Sequence, residues 1–138
     1  MSQQILNYLP VSELGPLIRD KKISPVELVQ ACLDRVNAID SQFHAFIHVM
    51  ERSAISEAKK AEQSISSGEY KGPLHGIPIG LKDLYYTKGV PTTAGSPILA
   101  DFIPGEDATA VTKLTDAGGV ILGKLNLHPF AYGAVGLN

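Results

Sequence analysis

GPLHGIPIGLKDLYYTKGVPTTAGS, residues 72–96, climbs an apolar run over 77–81 and then sets Lys82 beside Asp83. A short apolar run of this kind reads as a strand, and Pro78 within it argues for a sheet edge or an irregular start. In strand geometry Pro78, Gly80 and Lys82 share one face, and Ile77, Ile79 and Leu81 the other. Gly80 leaves open space beside the lysine, where another backbone could approach. On these residues alone two readings stand side by side. In one, Lys82 snorkels to water or pairs with Asp83. In the other, the amine is desolvated, loses part of its preference for the charged state, and accepts a proton from a serine hydroxyl.

Downstream, TKGVPTTAGSPILADFIPGE (87–106) is a long loop rich in Gly, Pro and Thr, and loops of that length inside compact domains are often functional. Asp107 is expected to cap a helix over 108–117, stopped by Gly118 and Gly119. VILGK (120–124) then reads as a buried strand. Strand, helix, strand predicts a parallel crossover in a sheet covered on both faces. Upstream lies a helical front. A short helix is expected over about 12–22. Ser24, Pro25 and Glu27 then form a capping box with proline at the first helical position. Leu28, Cys32, Val36 and Ile39 follow on one helical face. HAFIHV (44–49) reads as a strand. A polar helix over 51–67 carries Ile55, Ala58, Ala61 and Ile65 as its apolar stripe and ends at Gly68.

The 138 residues are enough for one domain with a core, and 44% apolar against 19% charged residues excludes a disordered chain. A net charge of −2 without a basic stripe argues against direct nucleic-acid binding. The single cysteine, Cys32, lies on the apolar helical stripe and reads as core. The N-terminus does not resemble a signal peptide, and no apolar run approaches the roughly 18 residues of a membrane span, so a cytoplasmic setting is expected.

Other motifs fail. GGVILGK (118–124) has P-loop spacing, but Leu125 stands where a hydroxyl should hold magnesium, the spacer is strand-forming, and the segment follows a helix. His44 and His48 lie in strand-like sequence, where four residues span roughly 13 Å, too far for one zinc. They read as half-exposed strand histidines, and His75 and His128 as surface or loop histidines.

GPLHGIPIGLKD, GVPTTAGS, DATAVTKLTDAGGVILGKLN and FAYGAVGLN, in this order and spacing, resemble the amidase signature family. The front, SPVELVQACLDRVNAID and then FHAFIHV, resembles its N-terminal helices and first strand, so the likeness runs from about Ser12 to Asn138. The resemblance implies an α/β/α fold with a mixed central sheet, of which residues 1–138 form a single incomplete domain. About 1–70 would be the helical front with one strand, and 71–138 the start of the catalytic α/β core. It implies hydrolysis of non-peptide carbon–nitrogen bonds in small-molecule amides by a Ser–cis-Ser–Lys triad, with no cofactor and no metal. Lys82 matches the lysine of that triad. No serine or threonine after Lys71 sits in a GGSS-like setting, so both serines are expected beyond Asn138, and the chain alone is expected to be inactive. Leu125 departs from an expected threonine and Pro129 from an expected acidic residue, and Pro129 should push His128 out of helical geometry. Two alternatives accompany this reading. One is the amidase subunit of a Glu-tRNA(Gln)/Asp-tRNA(Asn) amidotransferase, with partner subunits or a homodimer in the complete protein. The other is a stand-alone binding domain without chemistry.

Overall fold

Ser24 starts the longest helix. In the computed structural model, which describes residues 6–133, Ser24 Oγ accepts from Val26 N at 2.9 Å and Glu27 N at 3.4 Å. Glu27 Oε2 accepts from Ser24 N at 3.0 Å, completing the expected capping box. Helix α1 spans Val11–Arg19 and α2 spans Pro25–Phe43. Strand β1, Phe46–Val49, leads into α3, Glu51–Ser66. Strand β2 is Pro78–Lys82, α4 is Thr109–Asp116, and β3 is Val120–Leu125.

The described strands form a mixed sheet in the order β1-β3-β2. β3 runs parallel to β2, as the strand–helix–strand pattern predicts, and antiparallel to β1. Pro78 is the first residue of β2, an outer strand of this sheet, where its missing N–H costs no ladder bond. Side chains alternate across β3 and place a helical layer on each face. Val120 and Leu122 pack with Val29 and Leu33 of α2 and Ala54 and Ala58 of α3. Ile121 packs with Leu81 and with Val111 of α4. A third cluster, including Leu14, Ile18, Leu28, Ile65 and Ile77, joins the helical front to the start of β2.

Three local expectations need correction. α4 starts after Ala108 with no side-chain cap, because Asp107 Oδ1 instead accepts the Lys88 N–H at 2.7 Å. His44 lies outside β1: it caps α2 in the left-handed conformation, φ 50°. The buried residues of α2 are Pro25, Leu28, Val29, Ala31 and Leu33, while Cys32, Val36 and Ile39 are only half-buried. The helix serves two clusters at once, Leu28 toward α1 and Val29 with Leu33 toward the sheet, so its apolar face is rotated from a single stripe.

Candidate active site at the end of the central strands

β2 stops at Lys82 because the chain turns there. The Lys82 carbonyl accepts from Leu84 N at 2.7 Å and from Tyr85 N at 3.0 Å. Asp83 N donates to the Leu125 carbonyl at 2.9 Å, which ties the turn to β3. Along β2, Leu81 is buried while Gly80 and Lys82 are exposed, so the expected alternation holds. The expected burial does not: within the described residues the Lys82 side chain is exposed. Nor is the space at Gly80 empty. A Cβ added there would meet the Leu125 side chain at 2.9–3.0 Å.

The charges buried at this end of the sheet belong to Asp83 and Lys124, both 0% exposed. Lys124 Nζ stands 3.0 Å from Asp83 Oδ1 and donates to Thr92 Oγ1 at 2.7 Å and to the Tyr85 carbonyl at 2.9 Å. Asp83 Oδ2 accepts from Thr93 N at 2.9 Å and from Thr93 Oγ1 at 2.6 Å. Oδ1 has no aligned hydrogen bond and rests on the ammonium charge alone. Burial pulls the Lys124 pKa below the ordinary lysine value, while its pairing with Asp83 pushes it back up. Asp83 is therefore the partner of Lys124, not of Lys82. Lys124 escaped the sequence reading, which weighed it only as a phosphate lysine. The signal was there: VILGK also ends an apolar run on a lysine.

The long loop is a strap across this network. Ala94 N donates to the Asp83 carbonyl at 2.9 Å, Thr92 N to the Phe102 carbonyl at 2.9 Å, and Gly89 N to the Pro104 carbonyl at 3.0 Å. Phe130 N donates to the Ala94 carbonyl at 2.8 Å, adding the segment after β3. Thr92, Ala94 and Ser96 are buried. Ser96 Oγ accepts from Ile98 N at 3.3 Å and caps the short 3-10 turn Pro97–Leu99.

The other candidates take structural roles. Cys32 Sγ donates to Asn7 Oδ1 at 3.4 Å, and burial pushes its thiol pKa up, away from the reactive thiolate. His44 and His48 are exposed. His75 corrects its surface assignment. It is 2% exposed, its Nδ1 accepts the Lys71 N–H at 3.1 Å, and its ring lies 5.9 Å from that of Tyr70. It lines a cavity of about 560 Å³ between α3 and α4, and Lys82 is not among the lining residues. His128 is extended, φ −62° and ψ 138°, as Pro129 requires. The strand over 120–125 confirms that GGVILGK is no P-loop. Among the described residues no group of three or more His, Cys, Asp or Glu could hold a metal ion, and no helix is long and apolar enough to cross a membrane. The end of FAYGAVGLN, residues 134–138, lies outside the described residues.

Known proteins share much of this sequence and arrangement. The family model described as Amidase matches residues 27–138. A glutamyl-tRNA(Gln) amidotransferase subunit of Geobacter sp. (strain M21) is 47% identical over 126 residues, covering 91% of this chain and 26% of the relative. The putative amidase AmiD of Mycobacterium tuberculosis is 39% identical over 132 residues, covering 96% of this chain and 28% of the relative. The native peptide amidase from Stenotrophomonas maltophilia superposes with a TM-score of 0.85 at 36% identity, over 91% of this chain and 26% of that one. The chain thus spans about a quarter of the length of these relatives.

Proposed function

Because the chain belongs to the amidase family, we propose that it is the lysine-bearing part of an enzyme that hydrolyses small-molecule amides in the cytoplasm, with Lys82 as the base. The observation that carries this reading is the placement of Lys82. Its side chain is exposed on one face of β2, while its carbonyl and the next residue are fixed by four backbone hydrogen bonds, from Leu84, Tyr85 and Ala94 and to Leu125. A base needs such a fixed root, since small misplacements are costly in rate.

In the proposed reaction a serine hydroxyl attacks the amide carbonyl. A second serine passes the attacking group's proton to Lys82 Nζ, which accepts it as a neutral amine. The proton returns by the same route to the leaving nitrogen, the carbon–nitrogen bond breaks, and water hydrolyses the acyl-enzyme. An amine gives up its charge more readily out of water. The serine-bearing part of the protein would supply that cover by closing over the exposed face of β2. Replacing Lys82 with Ala in the active protein should lower ammonia release by about 10²- to 10⁴-fold and leave the fold intact. Near-parent turnover in a folded Lys82→Ala protein would refute the role.

The 47% identity to an amidotransferase subunit favours a second reading, in which the released ammonia passes to a partner protein. Co-purification of a second subunit, with glutamine hydrolysis stimulated by tRNA and ATP, would select it. Turnover of simple amides without either would select the free-standing amidase.

A further inference from the structure

Lys124 is the most thoroughly buried lysine of the described chain, at 0% exposure, and its charge is paired inside the protein with Asp83. Removing an ammonium from water is costly, so a buried pair is weak evidence of a gain in stability. What it touches is informative. Its ammonium reaches three different pieces of the site: it pairs with Asp83 at the end of β2 and donates to the Tyr85 carbonyl in the turn after Lys82 and to Thr92 in the strap. Asp83 in turn holds Thr93 through its carboxylate and Ala94 through its carbonyl. Beside the backbone hydrogen bonds of the turn, the side-chain contacts that tie Tyr85, Thr92 and Thr93 to the end of β2 therefore converge on one ammonium or on its counter-ion.

We infer that Lys124 is a positioning residue for Lys82, its ammonium latching the turn at 84–85 and the strap at 92–94 to the end of β2 so that the base keeps a single orientation. The inference rests on the proposed role of Lys82. Lys124 gives or takes no proton in the reaction; it acts through Tyr85, Thr92 and Asp83. A latch of this kind has a signature that a merely stabilising pair lacks. Neutralising both partners relieves the cost of an unpaired buried charge, but it does not restore the donors to Tyr85 and Thr92.

The test compares Lys124→Met, the double variant Lys124→Met with Asp83→Asn, and Lys82→Ala, in the active protein containing this chain. The measurements are ammonia release, with kcat and KM resolved, and amide hydrogen exchange. In Lys124→Met the amides of Thr93 and Ala94 should exchange at least about tenfold faster while those of α2 and α3 stay protected. Its kcat should fall by about 10²-fold with KM little changed, because the base is misplaced and not removed. The double variant should recover thermal stability and keep the low kcat. Should Lys124→Met fail to fold, the double variant decides. Parent kcat in either folded variant, with Lys82→Ala inactive, would overturn the positioning role alone. Parent turnover in Lys82→Ala would overturn both readings.

Discussion

His75 is buried, at 2% exposure, and held through one ring nitrogen. Its Nδ1 accepts the Lys71 N–H, so the neutral ring carries its hydrogen on Nε2. Burial, and to a lesser degree the charge of Lys71, lower its pKa from the ordinary 6.5. The unfolded chain therefore takes up a proton at a higher pH than the native one, and stability rises with pH through that window. His75 adds its full contribution above the ordinary value and loses it as pH falls toward its lowered native value. Thermal melts at about pH 7.5 and about pH 5 should show a drop in Tm that shrinks in His75→Asn, which keeps an acceptor for Lys71 and does not titrate. An unchanged drop would contradict the assignment. At this scale the sequence was half legible. Lys82 stood out because an apolar run ends on it, and Ser24 with Glu27 because capping depends only on local spacing. The burial of His75 and the pairing of Asp83 with Lys124 were not legible. Their partners come from Lys71 and from a separate strand, and residue spacing does not encode such contacts.

The strands are set by close approach as much as by hydrophobicity. Gly123 pairs with Val49 of β1 and Gly80 of β2, and a Cβ on it would collide with the His48 carbonyl. Gly123→Ala should destabilise the chain by about 1–3 kcal/mol through overpacking. Urea melts should show it, and a midpoint equal to the parent's would contradict the β1–β3 register. Element identity was readable where one period ran unbroken. α3 buries Ala58, Ala61 and Ile65 as its 3.6-residue spacing predicts, while at its start Ala54 is buried and Ile55 only half-buried. VILGK forms β3 because a short, continuous apolar run suits a central strand. Boundaries were harder. The left-handed His44 and the diversion of Asp107 to Lys88 depend on backbone geometry and on a neighbour nineteen positions away. The strap is the clearest case. Its Gly, Pro and Thr content marked it as a loop, but its docking depends on Asp83 and Lys124.

At the scale of the whole molecule, a helical front and a layered sheet hold Lys82 at one end of the parallel pair, with the strap tied across the turn beside it. The α/β class was legible because strand, helix and strand follow one another in the sequence, and the family because its segments keep their order. The catalytic assignment is a proposal for the complete protein, since this chain spans about a quarter of the length of its relatives. On the proposed reading, the 138 residues carry the base and the complete protein supplies the nucleophile from another segment. A lysine alone forms no acyl-enzyme. The most direct test is ammonia release from one panel of small amides. It would be measured for the purified 138-residue chain and for the protein that includes the serine-bearing region, each as parent and as Lys82→Ala. The account expects turnover only in the longer protein and only with Lys82 in place. Turnover by the 138-residue chain that disappears in Lys82→Ala, or turnover by the longer protein that survives it, would contradict the account.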